Sequence, residues 1–273
     1  MTDFQQTALE LAAEQQTPAW LAALRQQGAS TWAAAAWPGR KTEHWKYISL
    51  APLQQCEQLG WSSESDDVAL DAVEQIELDA IRLVFVNGRF NAARSSALPA
   101  GVVRFADANT EQQALIQQHL GKVVDSERHM FAALSNAWAA DGVLLHVARG
   151  HKLEKPVYIV NVSTAQANPV AASQRVLVVL EDNAEAELIE HYASDSVSQN
   201  GFVNSLTEVV VGNNAQVQHY RINLEQEDLL HVGGVHVNLQ RDARFHGFTL
   251  AQGSRLKRID YQVNMLGEGA HLE

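Results

Sequence analysis

Eleven histidines and a single cysteine, Cys56, are the residues of this 273-residue chain whose types first suggest metal or nucleophilic chemistry. One cysteine cannot form an intramolecular disulfide, and a cluster held by four cysteines of this chain is excluded, so any such ligands come from elsewhere. Cys56 reads as a small buried hydrophobe. Glu187, Glu190 and His191 are polar neighbours on one extended run and read as a solvated strand face. His231 and His236, five apart, fall on opposite sides of a continuous strand. The histidines are expected to be surface or hydrogen-bonded groups. A nucleotide cradle is absent: Gly39-Arg40-Lys41-Thr42 resembles the end of a phosphate loop, but Ala34 stands where its first glycine belongs. There is no Gly-x-Ser-x-Gly elbow, no His-Glu-x-x-His and no Cys-x-x-Cys. The residues therefore yield no catalytic, cofactor-binding or metal site, and the chain is expected not to be an enzyme.

The elements that would position such groups fall into two regions. Residues 1 to about 45 read as helical: Phe4, Ala8, Leu11 and Ala12 share a face, and Thr17 can cap a helix with Pro18 in its first turn and Trp20, Leu21 and Leu24 on its apolar side. Gly28 fits a C-terminal stop, Ser30 can cap a third short helix, and Pro38-Gly39 ends it. These apolar faces are small, so the helices are expected to pack on something larger. From Ser62 to Asp79 the chain is acidic and serine-rich and suits a solvated linker. Residues 81–86 then run into Asn87-Gly88, a dipeptide that accepts the positive φ of a tight hairpin. Residues 111–120 and 127–140 look helical, with Gly142 closing the second.

Beyond Gly142 the period becomes alternating. Four segments superimpose without gaps, beginning at Leu180, Val211, Leu239 and Leu266: an aliphatic residue, three polar or turn-prone residues, an alanine, a polar residue and an apolar one. The alanines are Ala184, Ala215, Ala243 and Ala270, spaced by 31, 28 and 27 residues. Such a period implies one structural unit per repeat. Strand, tight turn, strand and looser turn describe the coil of a β-solenoid, in which each coil pairs with the next at roughly 4.8 Å. The turn needs Asn, Asp or Gly where φ is positive, and alanine is small where stacked corners crowd. Relative to these alanines, His191, His219, His246 and His271 sit at offsets of seven, four, three and one residues, so they form no ladder of equivalent ligands. An antiparallel sandwich also alternates, but it does not call for one turn sequence at this spacing.

Composition narrows the partners. With 20 Lys and Arg against 32 Asp and Glu, the formal charge of -12 disfavours nucleic acid and anionic lipid. Arg255, Lys257 and Arg258 are the densest basic cluster. No run approaches the roughly 18 apolar residues of a membrane span, and the first thirty residues carry Asp3, Glu10 and Glu14. A cytoplasmic location is expected.

Two stretches carry a specific resemblance. Residues 40–50, with Glu43, Trp45, Lys46 and Tyr47, are similar to the Glu-x-Trp-Lys/Arg-Tyr-Thr/Ser signature of the SufB/SufD family of iron–sulfur cluster assembly scaffold proteins, and so is the run from Thr207 to Ala270, notably Ala243-x-Phe245-x-x-Phe248-Thr249-Leu250 and Arg258-x-Asp260-Tyr261-x-Val263. With the hairpin at Arg82–Arg89, the similarity covers essentially the whole chain, and that hairpin and the compact helical region favour the SufD branch. The resemblance implies a fold that is mostly β with an α-helical amino-terminal region: residues 1–142 helical and α+β, residues 143–273 a right-handed parallel β-helix (solenoid), truncated at its carboxy end. It implies a scaffold that pairs with SufB and the ATPase SufC, the iron–sulfur cluster being handled by the whole complex and no cofactor being bound by this chain alone. The family's docking helices and proposed cluster ligands are expected to lie beyond Glu273, the chain being a fragment whose open edge invites self-association. Trp45 and Tyr47 are expected to pin the helical region to the solenoid. An exported-type solenoid enzyme acting on polysaccharide, and a purely structural solenoid, remain the alternatives.

Overall fold

In the computed structural model the chain is described except at residues 57, 63–72, 74, 75, 167 and 196–199. Most of the acidic Ser62–Asp79 stretch, expected to be a linker, therefore lies outside the described residues. Of those described there, Val73 is buried and Asp79 pairs with Lys155 at 2.6 Å.

Helix α1 (Asp3–Glu14) starts in a capping box, in which the Thr2 hydroxyl accepts from the Gln5 amide and the Gln5 side chain accepts from the Thr2 amide. Thr17 makes no cap. The chain after Pro18 enters a short 3-10 turn, Ala19–Leu21, that continues into α2 (Ala22–Ala34). Gly28 does not stop that helix, and Ser30 lies inside it. A β-carbon at Gly28 would sit 2.5 Å from the Ala137 amide nitrogen and 2.7 Å from the Ala133 carbonyl oxygen, so the glycine is there to let two helix backbones touch. A 3-10 turn (Glu43–Trp45) and α3 (Ala51–Gln54) lead to β1 (Gly60–Trp61). Strands β2 (Ile81–Val86) and β3 (Arg89–Phe90) form the expected hairpin, with φ of 50° at Asn87 and 80° at Gly88. Then come β4 (Val102–Arg104), α4 (Thr110–His119) and α5 (Met130–Ala137), the helix against which Gly28 packs. Helix α5 ends at Ala137, short of Gly142, where a side chain would strike Phe105 and Arg175.

The rest is β5 (Val143–Val147), β6 (Val157–Ser163), β7 (Val170–Leu180), β8 (Glu185–Ser194), β9 (Gly201–Val211), β10 (Gln216–Asn223), β11 (Leu229–Leu239), β12 (Arg244–Ala251), β13 (Leu256–Met265) and β14 (His271–Leu272). Successive strands alternate between two sheets, ordered β13-β11-β9-β7-β5-β4 and β14-β12-β10-β8-β6-β2-β3. The pairs between coils are parallel, and among the described residues only β2–β3 and β4–β5 run antiparallel. This is a β-solenoid of about four turns behind an amino-terminal helical region.

The alanine corners stack. The Gln216 amide donates to the Ala184 carbonyl, Arg244 to Ala215 and His271 to Ala243, each at 2.9 Å. The residue before each alanine, Asn183, Asn214, Asp242 or Gly269, has φ between 54° and 72°. Alternation then sends one side chain in two into the solenoid, where Val178, Leu188, Val209, Val217, Val235 and Phe245 join one apolar core. On the outer face of the first sheet, α1, α2 and α5 bury Phe4, Trp32, Phe131 and Trp138 against Phe202 and Val232. Arg175 and Glu208 tie these layers together without exposure to solvent. Arg175 donates to Ser135 and Asn136 (2.8 Å each) and to Glu208 (2.5 Å), and Glu208 accepts the amides of Gly121 and Val123. Burial pulls the Arg175 pKa down, and Glu208 opposes it.

Gly28→Ala tests the helix crossing. In an isolated helix that change gains about 1 kcal/mol. Here it is expected to lose about 1–3 kcal/mol in urea unfolding, because α2 must move off α5. A stabilised variant would contradict the close crossing.

Candidate functional site

Parity set at the alanine corners carries a second population into the solenoid. On β8 the inward series Ala186 and Leu188 continues as Glu190 and Tyr192; on β10, Val217 continues as His219, Arg221 and Asn223. From the facing sheet, Val211 and Val209 continue as Thr207 and Ser205, and Leu239, Val237 and Val235 lead back to His231. The interior is thus apolar near the corners and ionic along its other half. Glu190, Arg221, Ser205, Thr207, His219 and His231 are all fully shielded from solvent.

Hydrogen bonds join these groups into one network. Glu190 accepts from Thr207 (2.7 Å), His219 Nε2 (2.8 Å) and the Tyr192 hydroxyl (2.8 Å), with Arg221 Nη1 at 3.6 Å. Arg221 lies 4.4 Å over the Tyr192 ring and donates to Ser205 Oγ (2.6 Å) and Asn223 (3.1 Å). Ser205 Oγ lies 2.7 Å from His231 Nε2, and His231 Nδ1 is bonded to Glu225. Lys257, reaching in from β13, pairs with Glu225 at 2.8 Å. Burial works to raise the Glu190 pKa, but Arg221, His219 and Thr207 outweigh it and hold the carboxyl at about 2. Glu225 is likewise held at about 2 against burial, by His231 and Lys257. Burial lowers the His231 pKa, and Glu225 opposes it; facing a carboxylate, Nδ1 is the donor to Glu225. Two carboxylates thus face Arg221 and Lys257, with His219 and His231 as further partners.

Ser205, His231 and Glu225 have the order and contacts of a nucleophile, its base and the base's orienting acid. Their enclosure gives them another role. Arg221 donates to the serine oxygen, and all three residues are cut off from solvent. The arrangement holds two sheets together and offers no surface to a substrate.

Several expectations need correction here. Glu190 and His191 are not on a solvated face: Glu190 points inward, and His191 is buried on the outer face with Nδ1 2.7 Å from the Tyr158 hydroxyl. Glu187 is half-buried. The offset from each alanine explains this, since even offsets (His219, four; Glu190, six) go in and odd ones (His191, seven; His246, three; His271, one) go out. His231 and His236 do face opposite ways. The basic cluster is dispersed by the same alternation, with Lys257 inside and Arg258 outside on Asp260, while Arg255 lies 3.8 Å from Asp228. Trp45 pins the helical region as expected, its ring 5.5 Å from Phe131 and stacked under Arg258 at 4.0 Å. Tyr47 does not: it is 90% exposed, because the 3-10 turn that directs Trp45 inward leaves it on the far side. Cys56 is half-buried, and burial raises its thiol pKa, with Arg255 opposing. Among the described residues, no three His, Cys, Asp or Glu side chains converge as metal ligands, and no helix is long and apolar enough to cross a membrane.

Comparison with known proteins places this geometry. Residues 2–159 match the family described as SufBD protein N-terminal region, and residues 161–273 match SUF system FeS cluster assembly, SufBD core domain. The chain is 27% identical over 237 residues to the iron–sulfur cluster assembly protein SufD of Escherichia coli, covering 86% of this chain and 54% of that protein. It is 25% identical over 250 residues to an iron–sulfur cluster assembly SufBD family protein of Synechocystis, again 86% and 54%. With SufD of Bacillus subtilis it shares 28% over 220 residues, 75% of this chain and 48% of that one. The chain spans about half the length of these curated relatives.

Two measurements test the interior network. Glu190→Ala leaves Arg221 and His219 without their carboxylate and is expected to cost about 3–5 kcal/mol, whereas Glu190→Leu combined with Arg221→Met costs less than Glu190→Leu alone. Both carboxyls are depressed on folding, from an ordinary 4.5 to about 2. Their contribution is complete above pH 4.5 and fades as pH falls towards 2, a loss on the order of a few kcal/mol that Glu190→Leu/Arg221→Met reduces. A double variant no better than the single one, with an unchanged acid transition, would show that the pairs do not interact.

Proposed function

The chain belongs to the SufBD family of the SUF iron–sulfur cluster assembly system, and from that premise we propose that it is a cytoplasmic scaffold subunit of the SufD branch, pairing with SufB and the ATPase SufC while the cluster passes as cargo. The observation that carries this reading is that both family regions follow one another along a single chain, from residue 2 to residue 273. Two of the relatives above bear the name SufD. A stiff, internally cross-linked solenoid suits a part that transmits force between partners.

Phe248, Leu250, Met265, Leu266 and Leu272 are exposed large apolar residues on the last coils. Strands β13 and β14 each end their sheet and have one pairing edge open. An open β edge with apolar neighbours is a template for further strands. The 273-residue chain alone is therefore expected to self-associate through it.

Affinity purification of the protein, tagged at its chromosomal locus, is expected to bring down SufB and an ABC-type ATPase. The 273-residue chain purified alone is expected to be colourless, without ATP turnover, and larger than a monomer in light scattering. Absence of the ATPase from the chromosomal pull-down would overturn the scaffold reading. Stoichiometric iron–sulfur absorbance in the chain alone would overturn its role as a part without its own cluster.

A further inference from the structure

A cavity of about 450 Å³ opens between the Glu43–Trp45 turn, the start of α5 and the outer faces of β11 and β13. Helix α5 begins there without a cap. The side chain of His129, at the cap position, makes no capping bond, and its Nε2 lies 2.8 Å from Gln262 Oε1. The His129 carbonyl accepts the amides of Ala132 and Ala133, but those of Met130 and Phe131 have no acceptor among the described residues. Two free N–H groups at a helix start carry the positive end of its dipole.

A second, independent feature lies in the same wall. His236 is 2% exposed and lines the cavity; its Nδ1 is sealed in the wall, and neither ring nitrogen has a hydrogen-bond partner among the described residues. Burial, then His129 and Arg175, hold its pKa down to about 3, so its neutral ring offers one N–H. At the rim, Arg128 makes no ion pair among the described residues and reaches only His44 Nε2, at 3.5 Å. Arg258 is already engaged, with Asp260 at 2.9 Å, the His44 carbonyl and the Trp45 ring. Asp260, the carboxylate in the lining, is thereby neutralised. His44, His129 and His236 do not converge as ligands, and Arg128 opposes a cation.

We propose that this cavity binds a phosphoryl oxyanion, held by the amides of Met130 and Phe131 with Arg128 and His236 as side-chain donors. Helix starts with free amides and a nearby guanidinium suit such groups. The space exceeds that of a lone phosphate, and Trp45, Leu206 and Val232 give it an apolar side, which favours a phosphate monoester over the free ion.

Titration of the chain, labelled with 15N at Met and Phe, compares inorganic phosphate, methyl phosphate and chloride at matched ionic strength. The Met130 and Phe131 amides are expected to shift saturably with a phosphate species and not with chloride. Arg128→Gln, a substitution at an exposed position, is expected to weaken binding about tenfold, the equivalent of ~1.4 kcal/mol, with an unchanged unfolding midpoint. Tighter binding of methyl phosphate identifies a monoester ligand, and tighter binding of inorganic phosphate a free anion; either outcome supports the oxyanion site. Shifts that do not saturate, that chloride reproduces, or that Arg128→Gln leaves intact would overturn it. Calorimetry with the same three salts gives the affinity if association broadens the spectra.

Discussion

The corner that precedes each strand of the second sheet fixes everything downstream of it. Asn183, Asn214, Asp242 and Gly269 turn the backbone through positive φ, and the following alanine leaves room for the corner stacked on it. Because side chains alternate strictly along a strand, a corner locked in register decides which residues of the next ten face inward. A slip of one residue would bring Glu187 and His191 inside and turn Glu190 and Leu188 out. Amide-to-carbonyl bonds from corner to corner prevent that slip.

With parity fixed, the interior acquires two halves of different character. The apolar half near the corners supplies the general stabilisation of burial. The ionic half is a different kind of constraint, because a buried charge without its partner is strongly unfavourable. Glu190 meets Arg221 and His219, and Glu225 meets His231 and Lys257, only if β8, β9, β10, β11 and β13 are stacked in one order. These pairs specify the stacking more than they strengthen it. On the outside, Arg175 and Glu208 do the same for the helices, fastening the α4–α5 connection to β7 and β9.

Buried ion pairs thus join coil to coil and sheet to helix. The buried charged side chains pair with one another. At the cleft by the start of α5, the helix amides and His236 are polar groups without partners among the described residues.

The sequence by itself determined the solenoid. Four equal turn segments about thirty residues apart, each with a residue tolerant of positive φ before an alanine, admit little else, and the Asn87-Gly88 hairpin and the capping of α1 are equally local. The side on which the histidines after each alanine corner fall was also legible, since parity counted from the alanine separates His219 from His191. What only the tertiary structure decided were contacts between segments far apart in sequence. Gly28 looks like a helix stop until α5 lies against it, and Glu190 looks solvated until Arg221, 31 residues later, stacks beside it in the next coil. Lys257 and Arg258 look like one basic patch until the strand sends them to opposite faces. Local chemistry fixes turns and periods, whereas a charge or a glycine takes its role from what the fold brings within a few ångströms of it.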